Sequence, residues 1–410
     1  MQVSSPEPCQ LAAAPGHDVH AEEPDLFSLV FSSGTSGRLK CLKISRRGTE
    51  AVVASFGRDF RFRPDDSILA FLPLSSFQQR WMLYAAIHYG FNFSLSVASR
   101  LFQALRDMRP TVIGAAPLLY ETIEARYQAL PASKRRALDV ARALLGCMPE
   151  VVRRRLARRI FRQVHEVFGC NIRFAIAGAA PIRIKTLRFF ASIGMPLYSA
   201  YGLTEVGFLS WNVPGKVRLG SVGKEVYPGS LEVAADGEIL FSHPDLLSYG
   251  YLEVDPEEER KTFLSPSRVA TGDIGHFDAR GFLYIDGRKK DIIITPGGYK
   301  IQPEDLERVI EENAKVGRAV VFGGEDMVGV TALVSLPEGS DQGLQTVVEA
   351  DIDALNRRLP RPSRITKVVF TSQQFTMDSG LLNHNLKVDR RKVLQRFRGE
   401  LAPAARMMYK

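Results

Sequence analysis

The sequence is poor in the residues that staple or anchor a chain. It has four cysteines, Cys9, Cys41, Cys147 and Cys170. They lie far apart, with no Cys-x-x-Cys pair and no Cys/His cluster. That spacing argues against a structural zinc site or a disulfide framework and fits a reducing, cytoplasmic setting. No apolar run reaches the ~18 residues of a membrane-spanning helix. The opening Met1-Gln2-Val3-Ser4-Ser5 lacks a charged segment followed by an apolar core, so no secretory signal is expected. No internal repeat is found.

The 410 residues suggest two or three domains at roughly 150 residues each. Hydrophobic residues make up 45% and charged residues 24%, the balance of a packed globular chain rather than a disordered one. The formal charge is +9, and much of it is local. Arg153, Arg154, Arg155, Arg158, Arg159 and Arg162 crowd one stretch, in which Val152, Leu156, Ile160 and Val164 recur every fourth residue. Such a stripe with a basic face reads as a solvated surface helix, or as a helix near 152–164 resting peripherally on a membrane. Nucleic acid is not expected as a partner, because no recognised binding motif or aromatic platform accompanies the charge.

Along the chain, residues 1–24 are rich in Pro, Ala, Ser and Glu without periodicity and read as a loose tail. Strand patterns at 67–72, 111–115, 172–177 and 195–199 alternate with helical patterns at 118–130 and 138–168. This is the texture of an α/β layer structure with a largely parallel sheet. After Gly220, short alternating segments at 230–234, 238–242 and 282–286, broken by glycines, suggest a small antiparallel barrel or sheet. Beyond Lys290 a compact α+β unit is expected: a helix over 303–313, strands at 318–322 and 330–335, and a helix around 347–359. A strand at 365–371 and a helix from about Asp389 complete it. The chain therefore divides into the tail, a large domain over 25–290 and a mobile small domain over 291–410.

Four short segments carry chemistry. The run Ser32-Ser33-Gly34-Thr35-Ser36-Gly37-Arg38-Leu39-Lys40 supplies glycines, hydroxyls and a lysine, a composition that cradles phosphates or forms a plain surface turn. It is not the Gly-x-x-x-x-Gly-Lys-[Ser/Thr] loop. Tyr201-Gly202-Leu203-Thr204-Glu205 follows a strand and places a hydroxyl beside a carboxylate. That pair suits a phosphate with its Mg²⁺, or equally a capped helix start. Thr271-Gly272-Asp273, followed by Gly287-Arg288-Lys289-Lys290, suits a ribose diol or a turn. Lys387 ends Gly380-Leu381-Leu382-Asn383-His384-Asn385-Leu386-Lys387 and on its own reads as a surface charge.

In this order the four segments resemble the adenylate-forming superfamily, comprising acyl-CoA synthetases, peptide-synthetase adenylation domains and luciferases. The resemblance runs from about Asp25 to the C-terminus. Phe71-Leu72-Pro73-Leu74-Ser75, Arg109-Pro110-Thr111 and Ala177-Gly178-Ala179-Ala180-Pro181 make it most similar to fatty acyl-CoA synthetases. The resemblance implies that Ser32, Ser33, Gly34, Thr35, Ser36, Gly37 and Lys40 hold the β- and γ-phosphates of ATP. It places Gly178, Ala179, Ala180, Tyr201 and Gly202 at the adenine and acyl sites, Thr204 on phosphate and Glu205 on Mg²⁺. Asp273 takes the ribose hydroxyls with Arg288 assisting, Lys290 is the hinge, Gly298 lines a pantetheine tunnel, and Lys387 is the catalytic ammonium.

The activity so implied is ATP-dependent conversion of a fatty or aryl acid to an acyl-adenylate, then transfer to CoA. Two alternatives stay open: loading of a carrier-protein phosphopantetheine, and an inactive nucleotide-binding scaffold. Relatives carry on the order of 150 further residues, a domain's worth, before the phosphate loop. The resemblance thus implies a missing N-terminal part, exposed strand edges, and a homodimer or a partner chain. The chain also departs from the family pattern at Ser36, Leu39, Ser76 and Asn383, which replace a usual Thr, Pro, His and Thr.

Overall fold

A computed structural model describes residues 25–33, 39–72, 74, 77–148, 150–295, 298–313, 315–323, 329–376, 378–382 and 388–401. Its centre is a seven-stranded sheet in the order Asn92–Leu95, Ser67–Ala70, Val112–Ala115, Phe174–Ala177, Leu197–Leu203, Gly207–Trp211, Lys224–Glu225. The first five strands are parallel and the last two antiparallel. The buried strands Val112–Ala115 and Phe174–Ala177 are continuous apolar runs, as a sheet covered on both faces requires.

Their period-two alternation divides the core. Leu69, Ile113, Ala175 and Ala177 pack into one layer with Tyr120, Phe189 and Phe190. Ile68, Val112, Phe174 and Ile176 pack into the other with Phe56, Phe60 and Trp81. Phe56 and Phe60 come from the Arg46–Phe60 helix, whose first turn is capped by the Ser45 side chain accepting from the Gly48 amide at 2.8 Å. A Cβ at Gly48 would lie 2.2 Å from the Leu246 carbonyl oxygen. Only glycine lets this helix approach so closely.

Two smaller sheets complete this part. Leu26–Ser33, Leu39–Ser45 and Ser248–Leu252 form an antiparallel sheet in which, among the described residues, the first strand pairs on one side only. Leu26, Phe27, Leu29 and Phe31 on that edge strand are exposed. Leu231–Val233, Glu238–Ser242, Phe263–Ser265, Arg268–Phe277 and Leu283–Arg288 form the expected antiparallel sheet. The 138–168 pattern is not one helix. It is three, Ala132–Gly146, Glu150–Ile160 and Arg162–Val167, and the sequence has Pro149, which removes a helical donor, at the first break.

The C-terminal unit contains the helix Pro303–Glu311 and the strands Arg318–Phe322, Val330–Ser335 and Ile365–Thr371. The Gln342–Asn356 helix packs on the same core through Val348 and Ile352. Charged groups join this unit to the large part. Arg318 meets Glu121 at 3.0 Å and Glu311 at 3.1 Å. Arg183 meets Glu311 at 3.3 Å and donates to the Gly317 carbonyl oxygen at 2.6 Å.

Breaking a buried ion pair on one side is costly because the partner charge stays desolvated. Glu121 is buried at the centre of this seam, so Glu121→Ala should destabilise the seam by about 3 kcal/mol. The checks are a lowered melting temperature and faster proteolytic cutting near 289–291. An unchanged melting curve would show that the seam contributes nothing.

Candidate active site

A pocket of about 740 Å³, counting its open mouth, lies at the carboxyl ends of the parallel strands. Ligands of open α/β sheets bind at this end. Gly114, Ala115, Gly178, Ala179, Gly202 and Thr204 form one wall, and Leu72, Trp81, Met82, Ile176 and Phe208 form the apolar remainder. Small residues keep it open: a Cβ at Gly114 would sit 2.5 Å from Met82 Cε. Ala179 adopts φ +72°, a left-handed conformation that costs a non-glycine residue on the order of 1 kcal/mol. The strain sits at the turn that delivers Gly178 and Ala179 to the pocket. Ala180 is half-buried and is not among the lining residues.

The strand at 197 does not stop at 199. It runs through Tyr201 and Gly202 to Leu203 and returns as Gly207–Trp211, with Leu203 opposite Gly207. Thr204 and Glu205 therefore sit on a hairpin turn, which replaces the capped-helix alternative. The hairpin is tight: a Cβ at Gly202 would lie 2.1 Å from the Gly207 carbonyl oxygen, and Gly207 itself has φ +78°. Cap and turn signals use the same residue types, so the sequence did not separate them.

Thr271-Gly272-Asp273 lies within the Arg268–Phe277 strand rather than in a turn. Gly272 has φ +70°, and the strand's pairing register shifts beside it. Asp273 stands opposite Arg288 and is 3% exposed. Arg288 Nε lies 2.6 Å from Asp273 Oδ1, and the Tyr201 hydroxyl donates to Oδ2 at 2.7 Å. The Asp273 amide donates to Thr271 Oγ1 at 3.1 Å, and that hydroxyl donates to the Ile239 carbonyl oxygen at 2.8 Å. Burial first, and then the Asp273 charge, push the Tyr201 phenol well above its ordinary pKa. It stays a donor, and Tyr201, expected at the adenine and acyl sites, is joined to the expected ribose pair Asp273 and Arg288 in one connected unit.

A second chain of contacts joins Glu205 to Lys40. The Tyr251 hydroxyl donates to Glu205 Oε1 at 3.1 Å. Lys40 Nζ lies 4.9 Å over the Tyr251 ring and 2.6 Å from Glu258 Oε1. Among the described residues no cluster of three His, Cys, Asp or Glu side chains could cage a metal. One carboxylate beside the Thr204 hydroxyl fits Mg²⁺, which completes its shell with phosphate oxygens and water.

Tyr201, Glu205, Asp273, Arg288 and Lys40 do not line the pocket, and other expected residues lie elsewhere too. Lys290 lies in the single turn Lys289–Asp291 that leads into the C-terminal unit. Gly298, φ +76°, is exposed in the connection between Ile293–Ile294 and Lys300–Ile301. Ser32 and Ser33 end the edge strand. Gly34, Thr35, Ser36, Gly37 and Lys387, with Ser76 and Asn383, lie outside the described residues. Sequence reasoning missed Tyr251 and Glu258, and also Gln79, whose buried Oε1 accepts from the Phe71 amide at 3.1 Å. None of the three stands in a distinctive motif.

Comparison with known proteins agrees with this geometry. A family described as AMP-binding enzyme matches residues 3–244, and one described as AMP-binding enzyme C-terminal domain matches residues 290–404. The long-chain-fatty-acid–CoA ligase FadD15 of Mycobacterium bovis is 28% identical over 92% of this chain and 69% of its own length. ATP-bound MatB from Rhodopseudomonas palustris shares the fold, with TM-score 0.69, 22% identity, 91% of this chain and 68% of that one. The Bacillus subtilis o-succinylbenzoate CoA synthetase holding its acyl-adenylate OSB-AMP also shares the fold. Its TM-score is 0.66 and its identity 21%, over 89% of this chain and 68% of that one.

Substituting Glu205 separates a metal ligand from a structural acceptor. Glu205→Gln keeps an acceptor for Tyr251 but removes the charge. It should raise the Mg²⁺ concentration needed for nucleotide binding about tenfold or more, with little change in melting temperature. Unaltered Mg²⁺ dependence in a titration would leave Glu205 only its bond to Tyr251.

Proposed function

The chain belongs to the AMP-binding enzyme family, and on that premise we propose that it activates an apolar carboxylic acid with ATP and passes the acyl group to CoA. The observation that carries this reading is the pocket's composition. Thr204, Gly202 and Gly178 share one cavity with Trp81, Met82, Ile176 and Phe208. A polar wall for a reacting carboxylate and phosphate thus adjoins an apolar space for the rest of an acid. The similarity to long-chain-fatty-acid–CoA ligases supports a fatty acid over an aryl acid.

In the first half-reaction a carboxylate oxygen of the acid attacks the α-phosphorus of ATP. The bond to the bridging oxygen breaks, and pyrophosphate leaves with its electron pair. The Ser32–Lys40 loop holds the β- and γ-phosphates in this reading, Asp273 with Arg288 holds the ribose, and Gly178 to Ala180 with Tyr201 line the adenine and acyl sites. Mg²⁺ held by Glu205 would supply charge neutralisation on the phosphates. The Lys387 ammonium stabilises charge as it builds on the bridging and equatorial oxygens. In the second half-reaction a thiolate attacks the acyl carbon and AMP leaves. The small domain, 291–410, turns about Lys290 between the two, bringing Gly298 to the pantetheine path.

The test is ATP–pyrophosphate exchange with a panel of fatty and aryl acids. Exchange is expected with a fatty acid, and CoA should then yield the thioester. Transfer to a carrier protein but not to CoA would reassign the acceptor. No exchange with any acid would leave a nucleotide-binding scaffold. Lys387→Ala should cut adenylate formation by about 10²-fold or more, while thioester formation from supplied acyl-adenylate survives. Equal loss of both steps would overturn the role given to Lys387.

Among the described residues the edge strand Leu26–Ser33 pairs with a strand on one side only and exposes apolar side chains. Arg80 covers the Leu29 carbonyl oxygen at 3.2 Å, and a strand edge with exposed apolar groups favours association. Light scattering should therefore find a dimer or larger species whose mass rises with concentration. A concentration-independent monomer would refute this.

A further inference from the structure

The helical hairpin Ala132–Gly146 and Glu150–Ile160, with the short helix Arg162–Val167 after it, carries a surface that the proposed chemistry does not use. Its inward side is core: Leu145, Ala157 and Phe161 are buried, and Leu138, Leu156 and Val164 pack against the same cluster. Lys134 Nζ donates to Gln163 Oε1 at 3.1 Å, which ties the start of the first helix to the end of the hairpin. The helices are thus antiparallel and lie on one core, so their outward faces share one side of the molecule.

That side combines two features that seldom coincide on a surface whose only neighbour is water. Val140 and Leu144 are 61% and 62% exposed, and Met148, Val152 and Ile160 are exposed beside them. The four-residue step from Val140 to Leu144 and the eight-residue step from Val152 to Ile160 put each pair on one helix face, and Met148 lies in the connection between the two helices. Around them lie the exposed side chains of Arg136, Arg155, Arg159 and Arg162. Arg162 is paired with Glu166 at 2.7 Å. Residues 132–167 hold ten Lys and Arg against three Asp and Glu, +7 of the chain's +9. No helix among the described residues is long and apolar enough to cross a membrane.

We infer that this hairpin docks on an anionic phospholipid surface, lying in the headgroup plane. Guanidinium groups pair with phosphates, while aliphatic side chains between them enter the acyl boundary. A polynucleotide would satisfy the arginines but would leave Val140 and Leu144 in water, and the hairpin exposes no aromatic ring on which a base could stack. Lipid satisfies both features at once. Docking stands on the hairpin alone. Its benefit, collecting an apolar acid where such acids dissolve, rests on the proposed function.

The experiment is co-sedimentation of the full chain with two vesicles, phosphatidylcholine alone and phosphatidylcholine with phosphatidylglycerol. Binding to the anionic vesicle should be about tenfold tighter or more and should weaken with salt. Val140→Glu with Leu144→Glu, and separately Arg155→Glu with Arg159→Glu, should reduce it to the neutral level. Melting temperature and ATP–pyrophosphate exchange on a short water-soluble acid should not change. Variants that bind as the unaltered chain does would overturn the inference. So would equal binding to both vesicles, or capture of duplex DNA with no vesicle binding. Lost exchange in the unaltered chain with vesicle binding intact would fail the proposed function and leave the docking surface standing.

Discussion

The arrangement of the site depends on one seam of buried charge. Glu121 and Glu311 come from different parts of the molecule, and Arg183 and Arg318 cross between them. Each side brings one carboxylate and one arginine, and the Arg318–Glu121 and Arg183–Glu311 pairs cross the seam, so parting the two sides breaks both pairs. Lys185 extends the seam by donating to the carbonyl oxygens of Glu311 and Glu312 at 3.3 and 3.5 Å. These close the C-terminal end of the Pro303–Glu311 helix, where a cation meets the negative pole of the dipole. Burial, then the neighbouring Arg183 charge, push the Lys185 pKa down, and the charges of Glu124, Glu121 and Glu311 pull against that shift. Arg183 follows the Gly178–Pro181 turn by two residues. The pocket wall and the domain seam are therefore one short piece of chain, and a shift at either is felt by the other.

Within the large part, backbone proximity rather than side-chain reach sets the geometry. Gly202 lets two strands meet where a Cβ would strike the Gly207 carbonyl oxygen, a Cβ at Gly207 would press on Val52 Cγ2, and Thr204 is held at the pocket by that closeness. Ala179 keeps a left-handed conformation without glycine's freedom, so neighbouring structure supplies the restraint. Fully buried Phe190 and Tyr120 share a core with Ala177, two residues before Ala179, and the Tyr120 hydroxyl donates to the Ile176 carbonyl oxygen at 2.9 Å. Strain beside a ligand pocket persists only where packing over-determines it.

Legibility in the sequence follows from the range of the interactions. Arg318–Phe322, Val330–Ser335 and Ile365–Thr371 are read to the residue, because short runs rich in β-branched residues and bounded by turn signals have one local solution. The 138–168 stretch reads as one helix because apolar periodicity continues across the breaks between Ala132–Gly146, Glu150–Ile160 and Arg162–Val167. Gly178, Ala179, Gly202 and Thr204 are readable as a set only through their resemblance to a family, since nothing local tells a pocket wall from a turn. Tyr251 and Glu258 are illegible for a different reason. Tyr251 reaches Lys40 and Glu205 because its strand pairs with Leu39–Ser45 in a register that puts Tyr251 opposite Leu42 and Leu252 opposite Cys41. That register is a long-range choice made by two cores, and no spacing within 248–258 encodes it.

Charge is used in two opposed ways on this chain. At the site, cations are matched one to one. Arg288 is set against Asp273 and Lys40 against Glu258, so their fields are short-ranged and do little beyond their own contacts. On the 132–167 hairpin the excess is left largely unmatched, and a cluster of like charges reaches about a Debye length, ~8 Å at physiological salt. Paired charge positions a ligand already in the pocket, whereas unpaired charge attracts an extended anionic partner before contact. The seam belongs to the first kind and the hairpin to the second. The core that carries the hairpin's buried residues also holds Leu72 and Ala115 of the pocket wall. The long-range and short-range electrostatics are thus mounted on a single rigid layer, so whatever orients the hairpin also orients the pocket.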